Sequence, residues 1–178
     1  MKITLKLTTT TCLLLAVTSS ARAMDVSAED LMQRLEGVAP VAVLANATLL
    51  HVPEEGEPEV LREGTNGWTC MYPGGDPMCL DGAAMAWAQA WMSKTEPPAT
   101  VGFAYMMLGD EGASNIDPFA MAESADNQWI ETGPHVMIVG SDAKEMLATY
   151  PHEVPEGAGA PWVMWPGTPY AHVMLPVK

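Results

Sequence analysis

The sequence predicts an α+β fold: a single domain with a mostly antiparallel or mixed sheet, one long buried helix and two short helices. Two observations lead there. Segments with strand character outnumber helical ones, and the helices are too few to cover both faces of a doubly wound parallel sheet. The one extended helical run is apolar almost all round, as expected of a helix enclosed between layers rather than laid on a surface.

The elements follow in chain order. Ser27 with Asp30 three residues on resembles a capping box and starts a short helix through Leu31 and Leu35 to a closing Gly37. Residues 41–52 are rich in β-branched and aliphatic side chains and read as a strand. After the acidic, proline-bearing turn at 53–58, residues 59–62 and 68–72 read as two more strands around Thr65-Asn66-Gly67, which makes an early β-meander. Residues 73–75 break the chain. Asp76 as N-cap and Pro77 at the first helical position then begin the long helix, which runs to Lys94. At about 100° per residue, Met78, Met85 and Met92 fall on one side of it and Trp87 and Trp91 toward the other. Pro97-Pro98 ends the helix, and 101–108 is a strand of alternating large and small residues. Residues 109–133 form a long irregular segment of the kind that serves as a lid or binding loop. A strand at 133–140, a helix capped by Ser141, Asp142 and Glu145, and a proline- and glycine-rich connection at 151–161 lead to two closing strands, 162–165 and 170–177.

Residues 1–23 read as a signal peptide. Lys2 and Lys6 precede an apolar stretch centred on Leu13 to Val17, and Ala21-Arg22-Ala23 is a small-x-small cleavage site. The apolar run falls short of the roughly 20 residues that a bilayer core of about 30 Å requires. Residues 24–178 are then one exported domain, periplasmic or secreted, without stable membrane insertion after processing. The charge reinforces the exclusions. Over the whole chain 8 basic residues face 22 acidic ones, a net charge of −14, and removing Lys2, Lys6 and Arg22 makes it −17. Such a surface repels nucleic acid and anionic head groups and suits cations, neutral ligands or basic partners. With 48% hydrophobic and 17% charged residues, the domain has the composition of a folded core rather than an acidic tail.

Of three cysteines, Cys12 leaves with the leader. Cys70 and Cys79 remain in an oxidising compartment and are expected to form a structural disulfide rather than a Cys-x-x-Cys redox pair.

The motifs of common hydrolases, zinc proteases, nucleotide-binding loops and dinucleotide folds are absent. Two features stand out instead. His135-Val136-Met137-Ile138 and His172-Val173-Met174-Leu175 repeat one pattern inside predicted strands, where residues i and i+2 share a face, so each copy projects an imidazole and a thioether to one side. If the two strands are neighbours, His135, Met137, His172 and Met174 form a soft ligand set suited to Cu(I). The alternative for these residues is packing against the tryptophan and methionine helix. The second feature is the concentration of oxygen ligands in the long loop, with Asp110, Glu111, Ser114, Asn115 and Asp117, without a recognised calcium spacing. Trp162 and Trp165, flanking Met164, are the tryptophans best placed to line a pocket. His51 and His152 are lone histidines with structural roles expected.

Four segments carry a resemblance: Asn66-Gly67-Trp68-Thr69-Cys70-Met71, Asp76-Pro77-Met78-Cys79-Leu80-Asp81, Gly133-Pro134-His135-Val136-Met137-Ile138-Val139, and Met164 through Trp165-Pro166-Gly167-Thr168-Pro169-Tyr170-Ala171 to His172. Together they resemble a family of small exported bacterial proteins of unknown function, over most of the chain from about Val41 onward. The resemblance implies export and a single domain; it carries no activity and transfers no catalytic residues.

The expected function is therefore a binding protein for a small molecule or soft metal, its site built from His135, His172, Trp162, Trp165, Asp110 and Asp117. An enzyme would use His135 or His172 as general base beside Asp110 or Asp117. A purely structural or partner-binding domain is the third reading. Convergence of both histidines on one concave site favours the first two.

Overall fold

The computed structural model describes residues 26–177, so the expected leader at residues 1–23 and its expected cleavage site lie outside the described residues. Helix α1 (Ala28–Arg34) begins with the expected reciprocal cap: Ser27 Oγ accepts from the Asp30 amide at 3.1 Å, and Asp30 accepts from the Ser27 amide at 3.2 Å. Gly37 follows at φ +88°, a backbone angle that favours glycine.

The stretch read as one strand at 41–52 divides in two. Pro40 starts a helical turn, α2 (Val41–Leu44), and only Thr48–His51 is strand, β1. Arg62 stabilises this arrangement by donating to the carbonyls of Leu44 and Ala47 at the end of the turn. Strands β2 (Glu59–Arg62) and β3 (Trp68–Met71) occur where expected, but they do not form a meander. β1 lies between them, antiparallel to β2 and parallel to β3.

The long helix is corrected next. Met78–Asp81 is strand β4, and α3 is the 11-residue Gly82–Met92, capped by Asp81 rather than Asp76. Pairing explains the override: β4 is hydrogen-bonded to β3 on one side and to β5 (Gly102–Met106) on the other. A run as short as Met78-Cys79-Leu80 does not separate buried strand from buried helix by periodicity alone. Helix α3 buries one face, Ala84, Trp87 and Ala90, and leaves Met92 exposed. It sits close on the sheet because Gly102 has no side chain: a Cβ there would lie 2.3 Å from the Ala84 amide nitrogen. Asp81 joins the two elements, accepting from the amides of Ala84 and Phe103.

The chain then crosses the segment 109–133, which contains a two-stranded ribbon, β6 (Ala113–Ser114) with β7 (Trp129–Ile130). It continues through β8 (His135–Val139), a 3-10 turn at Ser141–Ala143, α4 (Lys144–Leu147), a second 3-10 turn at Glu156–Ala158, β9 (Trp162–Met164) and β10 (His172–Pro176). The main sheet has eight strands in the order β2-β1-β3-β4-β5-β8-β10-β9, all neighbours antiparallel except β1 and β3. The architecture is thus mixed α/β with a large, mostly antiparallel sheet.

Each face of the sheet has its own core. Leu49, Cys70 and Cys79 belong to a cluster with Leu31 and Leu44 of the first two helices and with Leu35, which caps α1. Leu80, Ala104, Met174 and Trp162 belong to the other, under Trp87 of α3. The Cys70–Cys79 disulfide joins residues directly opposite each other on β3 and β4, in the first cluster. It therefore ties two strands together rather than pinning a helix to the sheet.

Candidate functional site

Register brings the two His-x-Met copies together. Strands β8 and β10 are antiparallel neighbours, with Met137 opposite Met174 and His135 opposite Pro176. Directly opposed residues share a face, so His135, Met137, His172 and Met174 all project to the α3 side of the sheet. Methionines extend the row: His135 also stands opposite Met106 on β5, and His172 opposite Met164 on β9. Along the strands the two histidines are offset by four positions, about 13 to 14 Å between backbones.

All four residues line one cavity of about 500 Å³, roofed by Trp87 and Trp91 of α3 and by parts of the 109–133 segment. Asp110 and Asp117 line it, as does Trp165. Trp162 does not. Fully buried on β9, it donates from Nε1 to Asn115 Oδ1 at 3.1 Å and serves to hold the long segment down. A larger depression of about 580 Å³ lies beside α1, lined by Met32, Leu44 and Arg62. No buried polar side-chain atom lacking a partner among the described residues lies there, whereas Trp87, His135 and His172 each bring one to the cavity.

The histidines are held identically. Each Nδ1 is hydrogen-bonded to the carbonyl two residues earlier, Gly133 for His135 at 2.8 Å and Tyr170 for His172 at 3.0 Å. A carbonyl only accepts, so Nδ1 carries the proton and Nε2 keeps its lone pair. Both rings are buried, and neither Nε2 has a hydrogen-bond partner among the described residues. Asp110 Oδ2 stands 3.9 Å from His135 Nε2, beyond hydrogen-bond range. His172 instead stands edge-on to Trp87 and Trp165, with ring centroids 5.2 and 4.9 Å away.

Burial sets the protonation states. Desolvation lowers the His172 pKa to about 4, opposed by the bond to Tyr170 and aided by repulsion from His135. Desolvation likewise lowers His135, against the Gly133 bond and Asp110. It raises Asp110, although the Thr132 and Gly112 amides both donate to its Oδ1.

The long segment is more firmly built than its composition suggests. Ser114 and Asn115 are buried, and Asn115 is bonded through its side chain to Trp162, Gln128 and the His152 carbonyl. Trp165 takes a left-handed backbone, φ +56°, which is uncommon for a bulky residue. Its amide donates to the Asn115 carbonyl and its Nε1 to the Ser114 carbonyl, both at 2.7 Å. The ring is thereby set against Trp87, Trp91 and His172. Such conformations persist where surrounding structure enforces them. Sequence reasoning missed Trp87, Trp91 and Met106 as site residues and singled out Asn115 as an oxygen ligand of the loop, not as the tether it is; the buried-strand parity that aligns Met106 with His135 depends on pairing.

Among the described residues, no three His, Cys, Asp or Glu side chains group to hold a metal ion, so the acidic loop does not converge on a hard-cation cage. His51 ends β1, and His152 contributes its carbonyl to Asn115. No helix among the described residues is long and apolar enough to cross a membrane. No protein-family model, no curated protein and no solved structure matches the chain. Function is therefore argued from the cavity.

Proposed function

We propose that this is an exported protein, freed of residues 1–23, that binds a small ligand or a soft metal ion in the cavity between α3 and the β8 and β10 strands. One observation carries the reading: two buried imidazoles, with Nδ1 anchored and Nε2 without a partner among the described residues, line the same cavity. A buried acceptor without a partner costs about 1 to 3 kcal/mol, a cost that a bound donor or metal ion would offset. Packing alone would be served more cheaply by apolar residues. The disulfide supports an oxidising compartment.

The decisive experiment is native mass spectrometry with metal analysis of protein purified from its own host's periplasm or medium. A bound mass or stoichiometric metal, lost on replacing His135 and His172 by Asn, supports the reading. Protein recovered free of both, and unchanged on exposure to host extract, overturns it.

A second reading has one specific observation in its favour. Asp110 Oδ2 and His135 Nε2 are 3.9 Å apart at the cavity wall with their pKa values pushed toward the neutral forms. That is an acid and base arrangement suited to proton transfer. Turnover of any substrate in a hydrolase and isomerase panel, abolished in Asp110→Asn, would favour an enzyme.

A further inference from the structure

Resting on the binding reading above, we infer that the cavity takes a primary amine with an apolar body: its ammonium group bridges Asp110 Oδ2 and His135 Nε2, and its body lies over Met137 and Met174 beneath Trp87 and Trp91.

His135 and His172 stand four strand positions apart, about 13 to 14 Å between backbones, so a single Cu(I) ion held by both imidazoles and both thioethers does not fit this lining. Each histidine is then read with its own neighbours. At the His135 end two acceptors face each other. The ring is fully buried, its Nδ1 proton is given to the Gly133 carbonyl, and Nε2 has no hydrogen-bond partner among the described residues. Asp110 Oδ1 is occupied by the amides of Gly112 and Thr132, which leaves Oδ2 as the oxygen 3.9 Å from that nitrogen. A donor nitrogen about 2.9 Å from both acceptors would see them about 85° apart, close enough to the tetrahedral angle for two slightly bent hydrogen bonds. One group carrying two N–H bonds therefore satisfies both.

Charge decides which donor that is. Asp76 and Glu111 line the cavity with Asp110, and the Glu111 amide donates to Asp76 Oδ1 at 2.9 Å, which draws the acidic residues together. No Lys or Arg lines the cavity among the described residues. Burial, with repulsion from Asp76, works against the Asp110 charge, and a bound cation would offset both. An alcohol supplies a hydrogen bond without that compensation, and an anion is repelled. Two residues along the strands from His135, about 7 Å, the floor becomes apolar: Leu80, Ala104, Met137 and Met174 form one row across β4, β5, β8 and β10. Trp87 and Trp91 of α3 roof the cavity. A body placed there buries apolar surface and meets methionine sulfur, which contacts aromatic rings favourably. Glu111 is exposed, so the acidic end opens to solvent.

The test is calorimetric titration of the exported protein with phenethylamine, phenethyl alcohol and hydrocinnamate, three probes with one aromatic body and a cationic, neutral or anionic head. The amine should bind more tightly than the alcohol by more than about 10-fold, and the acid should not bind. Asp110→Asn keeps an oxygen for the Gly112 and Thr132 amides and removes the charge. It should weaken the amine by about 10- to 100-fold and the alcohol by less than about threefold, so that the preference disappears. A general loss of packing would weaken both probes alike. Methyl NMR of the wild type, with contacts expected from the ring protons of the amine to the Met137 and Met174 methyls, decides the matter should the variant fail to fold. Alcohol binding as tight as amine binding, a preference that survives Asp110→Asn, or contacts to other methionines only, overturns the ammonium site. A host-derived ligand without a basic nitrogen, found by native mass spectrometry, overturns the amine and leaves the binding reading standing. Failure of all three probes at millimolar concentration, in a protein that native mass spectrometry finds empty, overturns both.

Discussion

Replacing His172 by Asn should flatten the acid dependence of stability. The ring is fully buried between Trp87 and Trp165, its Nδ1 bonds Tyr170, and repulsion from His135 adds to the effect of burial. Its pKa falls from 6.5 in the unfolded chain to about 4 in the fold. The folded protein therefore keeps His172 neutral, while the unfolded chain takes up a proton as pH drops below 6.5. Stability is complete above that pH and is lost as pH falls toward 4. The gap of about 2.5 units corresponds to roughly 3 kcal/mol, of which roughly 2 kcal/mol is lost between pH 7 and 4.5. His135 acts in the same direction and Asp110 in the opposite one, but both are common to the two proteins. The Asn amide can reproduce the Nδ1 donation and does not titrate; its smaller volume lowers stability by the same amount at every pH. Urea unfolding followed by tryptophan fluorescence at pH 7, 5.5 and 4.5 would measure the difference. Equal pH slopes in wild type and variant would refute the reasoning, as would an NMR titration of the wild type placing His172 at an ordinary imidazole pKa.

Three further outcomes are expected. Asn115→Leu strips partners from buried Trp162 Nε1 and from the His152 carbonyl, and should cost about 2 to 4 kcal/mol and bring forward proteolytic nicking of the 109–133 segment, read by limited proteolysis. In the wild type, that nicking should begin within the exposed residues 121–126 and not within β5. Gly102→Ala places a methyl against the α3 backbone and should destabilise by about 1 to 3 kcal/mol in denaturant titration, more than Gly159→Ala, where the added carbon meets nothing closer than 3.8 Å. The Cys70→Ala, Cys79→Ala variant should lose about 2.5 to 3 kcal/mol, while thiol labelling of unreduced wild type should find neither cysteine reactive.

How much was legible in the sequence depended on whether the signal was local. The α1 cap at Ser27 and Asp30, β2, β3 and the two final strands are set by neighbouring residues and are found within a residue or two. The disulfide followed from counting cysteines. The misreadings have non-local causes. Met78–Asp81 becomes a strand because β3 and β5 flank it, and 41–44 turns because Pro40 and Arg62 hold it. For the site, the sequence showed the His-x-Met repeat but not that its copies are neighbours. Nor could it show that Trp162 would be turned into a tether, because Asn115, 47 residues away, is its partner.

The disulfide and the cavity occupy opposite faces, yet register links them. Cys70 stands opposite Cys79, Cys79 opposite Tyr105, Tyr105 opposite Val136, and Val136 opposite Leu175. This row crosses five strands on the α1 side. The residues adjacent to its members, Met106, His135, Met137 and Met174, are thereby committed to the α3 side. A slip of one residue at β8 would exchange His135 and Met137 for Val136 and Ile138, carrying an imidazole and a thioether out of the cavity. The covalent bond between β3 and β4 prevents such a slip at the start of the row, and the close seat of α3 on Gly102 resists it at β5. The strict alternation of His, Val, Met and an aliphatic residue in both copies is what makes this coupling possible. One parity of each strand supplies the packing that fixes register, and the other supplies the donors that register brings together.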